Sequence, residues 1–244
     1  AQSNACNCDL PAEDHDQARY WLHNNMITYE GQKMGKSLGN AISLREFYSG
    51  DHPLLDQAYS AMVIRFFILQ AHYRSTLDFS NTALQASEKA FKRMNEGLKR
   101  LEGIDPSSKA VGVVPEMEKN LISFMTEAKA AMNDDFNTPE AVAVLFDLAS
   151  EVNKTGSIQK AVLLKQLGER LGLLQQNPQD YLQQSIGVEG GEQIMAESVE
   201  QMISQRLNAR KEGNYAEADN IRNQLLKAGV VLEDGAKGTA WRRQ

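Results

Sequence analysis

The sequence predicts a mainly α chain in three parts: a short region of strand, loop and helix, an antiparallel helical bundle, and a small α+β unit at the end. Three observations carry this. Apolar residues recur at helical spacing in four consecutive stretches between residues 80 and 174, joined by short links. Strand-like runs are brief, near 26–29 and 230–241, and each adjoins glycine. A stretch holding Pro178, Gly187, Gly190 and Gly191 (175–193) reads as a linker. The three parts are expected at residues 1–78, 79–184 and 194–244.

Residues 1–16 are polar and small and read as a connector. The chain has no start methionine and is expected to be the middle of something longer. Ala18 to His23, with Tyr20-Trp21-Leu22, reads as a strand. His23 beside it is read as a packed or water-bonded histidine in preference to a catalytic one. Met26 to Tyr29 is a second short strand, and Glu30-Gly31 a tight turn.

Residues 32–40, Gln-Lys-Met-Gly-Lys-Ser-Leu-Gly-Asn, are the stretch on which function turns. Lys33 and Lys36 stand three apart, Ser37 follows, and Gly35 and Gly39 loosen the backbone. Ser43 can cap a short helix through Leu44, Glu46 and Phe47. A loop between a hairpin and a helix start offers free N–H groups and cations, a setting suited to phosphate. The bland alternative is a solvated turn.

Leu54 to Arg74 gives a long helix signal, apolar nearly all round, so Arg65 within it must reach a partner or snorkel. His72-Tyr73-Arg74 reads as its polar end. Ser80 caps the next helix, striped by Leu84, Phe91, Met94 and Leu98. Residues 103–114 are a loop, and a helix follows from Pro115 to Met132. Asn133 to Asn137 is a turn, its two acids doing turn and capping work, with Thr138 as N-cap and Pro139 at N1. Two more helices carry Ala141, Val144, Leu145, Leu148 and Val152, then Val162, Leu163, Leu167, Leu171 and Leu174. Beyond the linker, Val199, Met202, Ile203 and Leu207 mark one helix. Ala218, Ile221 and Leu225 mark another, capped by Asn214 and stopped at Gly229. A hairpin through Gly235 and Gly238 closes the chain.

With 42% hydrophobic and 24% charged residues over 244 positions, the composition is that of an ordinary soluble protein. No apolar run is long enough for a bilayer, and no signal peptide is visible, so no membrane partner is expected. Cys6 and Cys8 are the only cysteines. They are half a zinc set at most, and a reducing cytoplasm suits them. The net charge of −6 excludes an indiscriminate nucleic-acid binder. From residue 195 onward, eight Lys/Arg face seven Asp/Glu, so the tail is the least acidic part, a weak hint of an RNA-facing surface.

The lysine stretch resembles the Lys-Met-Ser-Lys-Ser loop of class I aminoacyl-tRNA synthetases with its accompanying Leu-Gly-Asn. Gly35 departs from the usual Ser. Arg19-Tyr20-Trp21-Leu22-His23-Asn24 is similar to several of them. Ile64 to Ser75, Leu77 to Ser80, and Asn133 to Pro139 resemble cysteinyl-tRNA synthetases in particular. So does the tail, through Arg206, Ala209-Arg210, Tyr215 to Arg222, Leu232-Glu233-Asp234 and Gly238 to Arg242.

The resemblance implies the end of a catalytic domain, then a helical domain that leans on tRNA, then an anticodon-binding domain. It implies ATP with Mg as substrate, and cysteine and tRNA(Cys) as partners. The protein is expected to be a cytoplasmic monomer. Lys33, Met34, Gly35, Lys36 and Ser37 would bind ATP, with Lys36 and then Lys33 catalytic. Arg210, Asp234, Trp241, Arg242 and Arg243 would bind tRNA. Trp241 could stack on a base or pack the hairpin, and the sequence leaves both open. Zinc belongs to the whole enzyme of this family, but its ligands have no match here, and Cys6 and Cys8 do not align with them. The 244 residues alone are therefore expected not to charge tRNA. Two other readings stand beside this one: a cysteine–amino-sugar ligase of thiol biosynthesis, which lacks an anticodon domain, and a non-catalytic tRNA-binding helical module.

Overall fold

The computed structural model describes residues 21–101, 115–183, 196–235 and 238–243. The expected connector at 1–16, the loop at 103–114 and most of the linker lie outside them.

The first part is a three-stranded sheet wrapped by two helices. β1 (Ile27–Tyr29) is central, antiparallel to β2 (Gln32–Lys33) and parallel to β3 (Leu77–Phe79). Glu30 and Gly31 turn the hairpin with φ of 48° and 77°, the left-handed pair that matches strand twist. Asp78 secures that turn: its Oδ1 accepts from the Gly31 N–H at 2.8 Å and from the Thr28 hydroxyl. α1 (Leu44–Ser49) begins with a full capping box between Ser43 and Glu46. The Ser43 bonds hold the Glu46 carboxyl below its ordinary range.

Two expectations fail here. Residues 21–26 take no regular structure, so the described half of the expected strand at 18–23 is absent. The long helix at 54–74 shrinks to α2 (Ala61–Leu69). Ser60 starts it by accepting from the Val63 N–H. Ahead of it the Tyr59 N–H bonds the Phe47 carbonyl and the Asp56 N–H bonds Asn81, so residues 55–59 are held outside the helix without regular structure. The apolar density there marks burial, and Leu54 and Leu55 do pack on the core. His72-Tyr73-Arg74 accordingly lies beyond the helix. Arg65 finds its partner: Nε donates to the Leu171 carbonyl at 2.9 Å.

The bundle comprises α3 (Asn81–Leu98), α4 (Pro115–Asn133), α5 (Thr138–Thr155) and α6 (Ile158–Arg170), joined to a short α7 (Pro178–Gln183). α5 lies against α4 and α6, while α3 packs across α5, α6 and α7. Ala141, Val142, Val144, Leu145, Leu148, Ala149 and Val152 line the buried face of α5, the one-sided spacing that makes a helix a bundle member. The N-cap of α5 is Asn137, whose Oδ1 accepts from the Glu140 N–H, so Thr138 and Pro139 each fall one place later than expected. The expected linker at 175–193 is likewise corrected, since it contains α7 with buried Tyr181 and Leu182. Pro178 opens that helix; it does not end one.

α8 (Ala196–Lys211) and α9 (Tyr215–Lys227) form a helical pair, and β4 (Val230–Gly235) with β5 (Gly238–Arg243) a hairpin upon it. Asn214 caps α9, and Gly229 takes φ 73° just past its end. A separate small core of Val199, Ile203, Ile221, Leu225, Val230 and Trp241 holds this unit.

A candidate phosphate loop and a docked terminal unit

The lysine loop is pinned from beneath and open above. Met34 packs on the main core and its N–H bonds the Ile27 carbonyl at 3.3 Å. Lys36 to Leu38 form one 3-10 turn, closed where the Gly39 N–H returns to the Lys36 carbonyl with Gly39 at φ 68°. Asn40 clasps both ends: Oδ1 accepts from the Gly35 N–H at 2.9 Å, and Nδ2 donates to the Lys33 carbonyl at 3.1 Å. Met34 is turned partly into the core, while Lys33 at the end of β2 and Lys36 at the start of the 3-10 turn are exposed. Neither ammonium has an ion-pair partner among the described residues. Ser37 is exposed beside them. The structure thus gathers Lys33, Lys36 and Ser37 on one outward loop, and assigns Met34 to anchoring.

Gly35 is not demanded by its surroundings. Its φ of −160° is extended backbone, and a Cβ there would meet nothing closer than 3.7 Å, at Leu38. The expected extra backbone freedom is curtailed by Asn40. That residue stands in the Leu-Gly-Asn string, but only its return across the loop reveals its task.

The terminal candidates separate into two groups. Asp234 is gripped by Arg206 through two bonds of 3.0 and 2.8 Å, with the Thr239 hydroxyl at 2.7 Å and Arg210 at 3.5 Å. Arg206, then Thr239, hold the Asp234 carboxyl well below the usual carboxylate range. Arg206 itself is 5% exposed, and sequence periodicity gave no sign that an arginine would be buried here. Arg210 remains half exposed at the edge of this cluster.

Arg242 and Arg243 instead face the bundle. Arg242 bonds Glu233 at 2.9 Å and Glu96 of α3 at 3.4 Å, and Lys99 reaches Glu233 at 3.3 Å. Burial pushes the Glu233 carboxyl up, but Arg242 and Lys99 outweigh it and bring it down. Arg243 lies over the Trp241 ring and donates to the Gln183 carbonyl.

Trp241 is packed inside the terminal unit. It is 1% exposed, and its indole N–H donates to Glu200 at 2.6 Å. Gln179 and Gln183 of α7 both reach its carbonyl. The side chains of α8, α9 and the hairpin pack around the ring, so the structure shows Trp241 as packing.

Three family models match the chain. Residues 2–89 match the tRNA synthetases class I (C) catalytic domain, 128–175 the DALR domain, and 194–242 the Cysteinyl-tRNA ligase anticodon binding domain. Curated relatives named Cysteine–tRNA ligase share 47% identity in Nitrosomonas europaea and 44% in Nitrosomonas eutropha, each over 94% of this chain and 47% of the relative. One from Laribacter hongkongensis shares 45% over 95% of the chain and 46% of its own length. A solved LeuRS chain from Agrobacterium radiobacter K84 is 21% identical, with a TM-score of 0.44 over 61% of this chain and 20% of that one. The chain spans about half the length of the curated relatives it matches.

The match over residues 2–89, which carry the lysine loop, marks the chain as one of the class I aminoacyl-tRNA synthetases. Within that class the chain belongs to the cysteinyl-tRNA synthetase family.

Proposed function

We propose that the chain serves in a cysteine–tRNA ligase, supplying the loop that meets ATP phosphates and the surfaces that hold tRNA(Cys). The observation that carries this is the pair of exposed, unpaired lysines on a loop clasped by Asn40. In such a ligase the cysteine carboxylate attacks the α-phosphorus of ATP and pyrophosphate leaves. The cysteinyl group then passes from the adenylate to the terminal ribose of the tRNA. Negative charge builds on the phosphates in the first step. A cation that meets it mainly in the transition state raises rate more than affinity. Lys36 takes that role. Lys33 steadies the loop, the Lys36 and Ser37 backbone N–H groups and the Ser37 hydroxyl add neutral donors, and Gly35, whose N–H is held by Asn40, shapes the loop beneath the phosphates. Met34 contributes from below by fixing where the lysines stand.

Arg210 and Asp234 at the outer edge, and Arg242 and Arg243 nearer the bundle, are the proposed tRNA contacts, with Trp241 as the packed support beneath. Among the described residues no three His, Cys, Asp or Glu side chains gather as a metal site requires. No described helix is long and apolar enough to cross a membrane. The cytoplasm and a monomeric state are part of the same reading.

The test is ATP–pyrophosphate exchange in the intact enzyme. Lys36→Ala should slow adenylate formation roughly 10²–10³-fold while cysteine affinity barely moves. Unchanged exchange refutes the role.

A further inference from the structure

Residues 70–76, between α2 and β3, have no helix or strand of their own, yet they are gripped on both sides. On one side stands the residue leading into β1: the Asn25 N–H donates to the Tyr73 carbonyl at 3.0 Å, and Asn25 Nδ2 donates to the Arg74 carbonyl at 2.9 Å. Asn25 Oδ1 in turn accepts from the Met26 N–H at 2.8 Å. On the other side stands the turn between α4 and α5. The Tyr73 hydroxyl donates to Asp135 Oδ1 at 2.7 Å, and Arg74 Nε lies 3.0 Å from Oδ2. Arg74 Nε also donates to the Tyr73 oxygen at 2.8 Å, which ties the two side chains together.

His72 completes the node. The Arg74 N–H donates to its Nδ1 at 3.2 Å, so Nδ1 is the acceptor and Nε2 bears the proton it donates to the Asp135 carbonyl at 3.2 Å. Asp135 and Phe136 take φ of 51° and 54°. Asp tolerates that region better than most residues do, and there it turns both its carboxylate and its carbonyl toward residues 72–74.

We infer that Asp135 is a positioning residue for the lysine loop. Its turn grips Tyr73 and Arg74, their carbonyls grip Asn25, and Asn25 leads into the strand whose hairpin carries Lys33 and Lys36. A displacement of the α4–α5 turn is thereby passed, through Tyr73, Arg74 and Asn25, to a loop far away in sequence. The inference concerns placement and holds whatever the loop binds.

Hydrogen exchange on the 244-residue chain tests it. In Asp135→Ala the amides of residues 25–34 should exchange about tenfold faster, as expected when the carboxylate's bonds from Tyr73 and Arg74 are lost from their support. Residues 199–225 should exchange as in the wild type. Tyr73→Phe keeps the ring and loses the hydroxyl, and should act in the same direction to a smaller extent. Asp135→Asn keeps an oxygen acceptor and the left-handed preference, and should restore most of the protection. If both Asp135→Ala and Tyr73→Phe leave residues 25–34 unchanged, with any acceleration confined to 133–138, the inference is overturned. Should Asp135→Ala unfold the chain, Tyr73→Phe alone decides.

Discussion

Replacing Trp241 by Ala separates packing from RNA reading at the one residue where both were plausible. The indole is fully buried in a core of six side chains, and its N–H donates to Glu200 at 2.6 Å. Truncating a buried Trp costs about 3–5 kcal/mol through lost transfer energy and a residual cavity. Leaving Glu200 without its donor adds cost, discounted because that carboxylate can turn to water. A unit of this size holds roughly 2.5–7 kcal/mol in all, at the usual stability per residue. The loss therefore consumes most of the unit's stability while leaving the separate bundle core intact. Urea unfolding read by pulsed hydrogen exchange resolves residues 196–243 from the bundle. Their midpoint should fall by more than about 1 M urea, given the small denaturant slope of a short unit, while residues 141–152 keep theirs. A variant that keeps the wild-type midpoint yet binds tRNA more weakly would show that the indole reads a base and that the packing argument fails.

Gly35→Ser should leave the thermal midpoint within about 1 °C, because the backbone is extended and a Cβ finds open room; a large drop would mean the loop needs its glycine. Gly172→Ala should destabilise by about 1–3 kcal/mol, measured by urea titration, since φ is +69° and the Cβ would sit 2.6 Å from the Arg65 guanidinium. Asp234 has a lowered pKa in the folded state, so the stability it lends is present above the ordinary carboxylate pKa of about 4 and is lost as pH falls toward its depressed value. Asp234→Asn should flatten that acid limb of the terminal unit's unfolding curve; an unaltered limb would assign the pH dependence elsewhere.

The sequence by itself determined the elements whose information is local. Helical spacing located α3 to α6, α8 and α9. Capping residues located the starts of α1, α3 and α9, since Ser43, Ser80 and Asn214 each bond an N–H three residues on. The lysine string was legible because its residues are adjacent in the chain. The 54–74 stretch departs from one long helix because apolar density reports burial and not backbone shape; Ser60 caps the helix, and the Tyr59 and Asp56 N–H groups ahead of it bond elsewhere. α7 was hidden by its shortness and its proline.

Only the tertiary structure decided which side chains meet. Asn40 returning to Lys33 and Gly35, Asp135 reaching Tyr73 and Arg74, and Arg206 taking both oxygens of Asp234 are pairings set by how helices and strands dock. The same docking sealed Trp241 and turned Arg242 toward Glu96. Periodicity gives each residue a face on its own element. Which neighbour covers that face is fixed by long-range packing, and no local pattern records it.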